Sequence, residues 1–144
     1  MVTDLEKLFP GLVGNSYQFT SPPDEVYNCI AWAAAKTTEW WWPTDVPGNV
    51  WPTGVAREES IVAFQGAFAS LGYSTCNAAD LESGFEKIAI FADDQAIPTH
   101  AARQMQSGHW TSKIGKLEDI EHDLLDLAGT EYGSVIVFMK RPVR

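Results

Sequence analysis

The chain predicts an α+β fold. Helix-type patterns crowd its first half, while its second half carries strand-type runs divided by tight-turn chemistry, with one late amphipathic stretch before a final apolar run. Size agrees with one compact domain, 1–144, because 144 residues can bury well over half of the surface that the unfolded chain exposes.

Taken in order, "SPPDE" (Ser21 to Glu25) disfavours a helix before it, and Asn28 then offers a side-chain oxygen to cap a helix from about Cys29 to Lys36. That helix, "CIAWAAAK", is apolar nearly all round, so it is expected to be buried centrally. Trp40 to Gly54 holds three prolines and two glycines and reads as a long irregular loop, of the kind that often forms a lid. "REESIVAFQGAFASLG" (Arg57 to Gly72) repeats Ile61, Phe64, Phe68 and Leu71 at helical spacing and stops at glycine. "YSTC" is a short strand. Three strands follow over Glu86 to Ala92, Ala96 to Met105 and His109 to Ile114, joined by "DDQ" and "QSG" turns into an antiparallel meander. Ile120, Leu124 and Leu127 predict a last helix from about Leu117 to Ala128, and "GSVIVFMKR" closes the chain as a buried strand.

Composition excludes several classes of partner. A net charge of −9 repels phosphate backbones and anionic headgroups, which argues against nucleic acid. The N-terminal residues show no basic then apolar leader, and no apolar run approaches membrane-spanning length, so a soluble, cytoplasmic protein without membrane contact is expected. The two cysteines, Cys29 and Cys76, show no disulfide or metal spacing, which reads as free thiols and no metal site. Asp93 and Asp94 are turn residues, Arg103 and Lys113 read as solvated cross-strand cations, and Cys76 reads as structural.

Cys29 carries the candidate chemistry. A thiol acts as a nucleophile once it is thiolate, and backbone N–H groups at a helix start favour that form. A histidine must then take and return the proton. Of the three histidines, His100 is preferred: it lies mid-strand in "PTHAAR", where Ala101 and Ala102 leave room beside the ring. His122 ranks second, as an ion-paired residue on the acidic face of the last helix, and His109 third, near a loop end in solvent. Ser112 or Thr111 on the following strand is placed to orient the imidazole, and strand alternation lets only one of them face the helix. Asn28, Tyr27, Tyr17 and Gln18 are near enough to the thiol in sequence to serve an oxyanion. Trp41 and Trp51, in the tryptophan-rich loop, are candidate walls of a substrate cleft.

A helix-borne cysteine, then "KIAIF" hairpinned to "THAAR" and followed by "GHWTSKIG", resembles the NlpC/P60-type papain-like cysteine peptidases and amidases, in particular a small bacterial branch of them. The resemblance spans about Cys29 to Lys113. It implies a papain-like domain in which a Cys-bearing helix packs on an antiparallel sheet, with Cys29 as nucleophile, His100 as base and Ser112 as orienting residue. Where peptidoglycan-cleaving members show an Asp-Cys-Ser-Gly string, this chain has Asn28-Cys29-Ile30-Ala31. The implied function is hydrolysis or transfer at an amide, ester or thioester through an acyl-Cys29 intermediate. No cofactor is called for, and the partner is a small peptide, amide or acyl substrate or a protein side chain. Two other expectations share the same residues: a non-catalytic module that binds peptide or protein through the tryptophan loop, and an effector that deamidates a partner protein.

Overall fold

The computed structural model describes residues 3–143. It is a mixed α+β protein built on one seven-stranded sheet in which every neighbouring pair is antiparallel. In chain order its elements are α1 (Asp4–Leu8), β1 (Gln18–Phe19), α2 (Cys29–Ala33), β2 (Trp40–Trp41), β3 (Asn49–Val50), α3 (Ile61–Ala69), β4 (Ser74–Cys76), β5 (Phe85–Ala92), β6 (Pro98–Gln104), β7 (Trp110–Lys113), β8 (Asp119–His122) and β9 (Ser134–Pro142), with 3-10 turns at Pro10–Leu12 and Leu124–Leu127. The large sheet runs β1-β8-β7-β6-β5-β9-β4, and β2 and β3 form a separate parallel pair in the tryptophan loop.

Alternation along the central strands supplies two cores. Ile88, Ile90 and Ala101 face α2, α3 and the buried Trp41 and Trp51, whereas Ala89, Phe91 and Ala102 face Phe9, Leu12, Leu124 and Leu127. The second face is closed by the N-terminal segment, whose Phe9 and Leu12 are buried. No sequence pattern predicts an element there. Thr3 and Glu6 form a reciprocal capping box that starts α1.

The meander stands where it was expected: β5 begins one residue earlier, and β6 and β7 are slightly shorter. Both other expected helices contract. α2 ends at Ala33, because Ala35 turns left-handed (φ 62°). α3 begins after Ser60, whose hydroxyl accepts the Ala63 N–H, so Arg57, Glu58 and Glu59 precede the helix.

One expectation fails outright: the helix over Leu117 to Ala128 is absent. Asp119–His122 is the strand β8, held between β7 (Ser112 opposite Ile120) and β1 (Gln18 opposite Glu121). "DIEH" also alternates, placing Ile120 and His122 on one face and Asp119 and Glu121 on the other. Two flanking strands satisfying its backbone outweigh a helical spacing of three leucine-type side chains. Leu124 and Leu127 keep their shared face in the 3-10 turn, and with Ile120 they enter the same core.

Candidate functional site

Asn28 sets the start of α2. Its Oδ1 accepts the N–H of Ala31 at 3.1 Å and of Trp41 at 3.1 Å, while Nδ2 donates to the Trp41 carbonyl at 2.7 Å. One buried side chain thus caps the helix and rivets the tryptophan loop to it. Trp51 packs edge-on to Trp41 and tilted on Phe64, and Trp42 is T-shaped on Phe64, so the loop is anchored on α3 as well.

Cys29, the first residue of α2, is 7% exposed. Burial pushes its thiol up to about 11; the N–H groups of Ala101, Ile30 and Cys29 itself and the charge of Lys113 act the other way. α2 is little more than one turn long, so these are individual donors and not a long helix dipole.

The Ala101 amide is not paired with β7, because the sheet opens at this point. β6 and β7 are paired only near their turn, Gln104 with Trp110 and Arg103 with Thr111. The Met105 N–H bonds the His109 carbonyl, and hydrogen-bonded pairs recur at every second residue, so an uninterrupted ladder would next join Ala101 to Lys113. That pair is missing, and the Ala101 N–H is among the backbone groups that favour the ionised form of Cys29.

His100 leaves the strand on the opposite face. Its ring touches Phe91 and stacks on Tyr132, both members of the second core, while Ala101 belongs with Cys29 to the first. Its Nε2 lies 2.8 Å from Ser112 Oγ, which lies 2.7 Å from His122 Nε2; His122 Nδ1 lies 2.7 Å from the Asp123 carbonyl. All three side chains are buried. Burial holds His100 well below the ordinary imidazole range, helped by His122, and lowers His122 to about 4. Among the described residues, His100 Nδ1 is buried with no hydrogen-bond partner, and no hydrogen bond joins it to Cys29.

Cys29 borders a cavity of about 360 Å³, lined also by Asn28, Trp40, Trp42, Thr99, Gly115 and Tyr132. Lys113 supports its floor from within: its Nζ donates to the carbonyls of Asp24 (2.6 Å) and Gly115 (2.5 Å) and lies 4.9 Å from the Tyr27 ring centre. Among the described residues, no group of three or more His, Cys, Asp or Glu side chains gathers to hold a metal ion. No helix among them is long and apolar enough to cross a membrane.

A family model described as "Domain of unknown function (DUF7689)" matches residues 18–140. The chain belongs to the DUF7689 family. No curated protein and no solved structure matches it. The DUF7689 match runs from the start of β1 into β9, so it takes in Cys29, His100, Ser112, His122 and Tyr132 together.

Within this DUF7689 domain the fold brings His100 to Ser112 and brings Cys29 to the strand that carries His100, from the other side. Thr111 faces α2, where its hydroxyl accepts the Trp32 indole N–H at 3.0 Å. Tyr27 and Tyr17 are engaged elsewhere, through Asp119 (2.8 Å) and Glu6 (3.0 Å), and Gln18 lines a different surface hollow. Trp41 and Trp51 are core residues, and their neighbours Trp40 and Trp42 line the cavity. Both thiols are free, and His109 is exposed 3.7 Å from Asp123.

Two expectations are corrected. His122 is not an ion-paired surface residue but a buried strand residue bonded to Ser112, because β8 replaces the helix. Lys113 is not solvated: it is fully buried, its ammonium satisfied by two carbonyls. Arg103 lies against α2, 5.0 Å over the Trp32 ring. Sequence reasoning missed Tyr132; "GTEYG", a tyrosine between two glycines, was the available signal.

Proposed function

We propose that the protein is a cysteine hydrolase or acyltransferase of papain-like, NlpC/P60-like type, acting on an amide, ester or thioester through an acyl-Cys29 intermediate. In this reading the Cys29 proton passes to His100 Nδ1 as Sγ attacks the substrate carbonyl carbon. The substrate's C–N, C–O or C–S bond then breaks, and the leaving group departs with that proton. Water, giving a proton to Nδ1, attacks the thioester; the C–S bond breaks and the sulfur recovers its proton. The step requires the imidazole to meet the sulfur through the opening between β6 and β7.

The observation that supports this reading is the interrupted ladder at Ala101. A backbone N–H is withheld from β7 beside a thiol whose ionised form it favours, at the edge of a cavity and one residue from a neutral imidazole with an unpartnered nitrogen. Burying a donor and an acceptor without strand partners costs stability that a purely structural site would recover.

A specific observation favours a second reading. A thiol raised to about 11 by burial is protonated at neutral pH, as suits a non-catalytic module whose cavity, walled by Trp40, Trp42 and Tyr132, binds a peptide. Limiting iodoacetamide on the folded protein, with acyl-fluorophore substrates assayed in parallel, separates the two. Catalysis predicts acyl turnover lost in both Cys29→Ala and His100→Ala, with Cys29 alkylated near neutral pH in a His100-dependent way. Alkylation of Cys29 only at strongly alkaline pH or on unfolding, with no turnover of any acyl substrate, would leave the binding module.

A further inference from the structure

The hydrogen-bond chain behind His100 has a direction, set at its far end. A carbonyl oxygen only accepts, so His122 Nδ1, 2.7 Å from the Asp123 carbonyl, carries a proton. Burial disfavours a second proton on that ring, so its Nε2 is bare and accepts the Ser112 O–H at 2.7 Å. A hydroxyl has one proton to give. Ser112 Oγ therefore accepts from His100 Nε2–H at 2.8 Å, and a neutral His100 is left with its lone pair on Nδ1.

We infer that His122 is a positioning residue: acting through Ser112, it holds His100 in the tautomer protonated on Nε2 and so presents the buried, unpartnered Nδ1 as a proton acceptor. The chain supplies what an orienting amide or carboxylate supplies elsewhere, a fixed acceptor for the far nitrogen of the base. Ser112 alone leaves the tautomer open, since a hydroxyl donates or accepts; the second imidazole removes that freedom. The catalytic meaning of the tautomer rests on the function proposed above, but the tautomer itself does not.

Nitrogen-15 NMR of the intact protein labelled at histidine tests it. At neutral pH, His100 should show a protonated Nε2 and a bare Nδ1, and His122 the opposite pattern. A proton on His100 Nδ1, or on His122 Nε2, in the wild-type protein overturns the assignment without any variant being made. In His122→Leu, His100 should become a mixture of tautomers, and neutral-pH alkylation of Cys29 should slow by about tenfold or more while sheet resonances are unchanged. His122→Gln, whose side-chain carbonyl can accept from Ser112, should restore the wild-type tautomer. An unaltered His100 tautomer in a folded His122→Leu also overturns it. If the tautomers are as stated and no acyl substrate turns over, the positioning role stands and the enzymatic reading falls.

Discussion

His100 and Tyr132 lie ring on ring, with centroids 4.0 Å apart and planes 7° apart. Tyr132 also lines the cavity beside Cys29, so it separates the buried imidazole from that space. Its backbone is held on both sides: the Thr99 hydroxyl donates to its carbonyl at 2.5 Å, and Gly133 (φ 77°) passes so close to β5 that a Cβ would meet the Ala92 carbonyl oxygen at 2.0 Å. Tyr132→Ala should cost about 2–4 kcal/mol and let the His100 pKa climb toward the ordinary range, as burial is its main depressor. Tyr132→Phe keeps the stack and should stay within about 1 kcal/mol of wild type. Denaturant titration and histidine NMR read both effects; an unmoved His100 pKa in Tyr132→Ala would count against the partition. Gly133→Ala should displace the same loop and resemble Tyr132→Ala.

Acid should loosen the second core before the first. The folded His122 titrates near 4 and His100 well below the ordinary value, whereas unfolded imidazoles titrate near about 6.5. Below about 6.5 the unfolded chain takes up protons that the folded chain refuses. The stabilisation is complete above that pH and is lost as pH falls toward 4. His122 alone accounts for roughly 2–3 kcal/mol. Urea midpoints of wild type should fall from pH 7 to pH 5 more steeply than those of His122→Leu; parallel slopes would show that His122 does not titrate as described.

Alkali should act through Cys29 with the opposite sense. An unfolded thiol ionises near about 8.5 and the folded one near 11, so between those values the unfolded state has lost a proton that the folded state keeps. Stability therefore declines as pH rises through that window, by roughly 2–3 kcal/mol. Cys29→Ala removes this slope. Melting curves of the two proteins at pH 8 and pH 10.5 give the comparison, and equal losses would mean the thiol is less buried than described.

Asn28→Ala should destabilise by about 2–3 kcal/mol, since it removes a helix cap and both bonds that tie Trp41 to α2. It should also raise tryptophan exposure in the loop. Acrylamide quenching of Trp fluorescence checks this; a protein destabilised yet equally protected from quenching would show that the aromatic packing on Phe64 holds the loop by itself.

Local pattern sufficed wherever neighbours in sequence are also the physical cause. The Asn28 cap, the meander and the free thiols were legible because capping, turn chemistry and cysteine spacing act over a few residues. The pairing of His100 with Ser112 came from the resemblance; alternation left Thr111 equally open, and it is Thr111 that turns toward α2. His122 was not legible. "LEDIEHDLLDLAG" has a helix's spacing and a helix's charges, and only the empty places beside β7 and β1 make its first part a strand. Lys113 was misread for the same reason, since the two carbonyls that admit its charge to the core come from Asp24 and Gly115, the first distant in sequence.

By itself, then, the chain determined the α+β class, the Asn28-capped helix, the second helix, the central meander and the closing strand, and the residue types able to do thiol chemistry, because those follow from backbone preference and side-chain character over short spans. The tertiary structure alone decided which face of β6 each side chain uses, where the ladder with β7 stops, and that Ser112, His122 and Tyr132 surround His100. Those outcomes are set by pairing across strands far apart in sequence, and a one-residue change of register reverses every one of them.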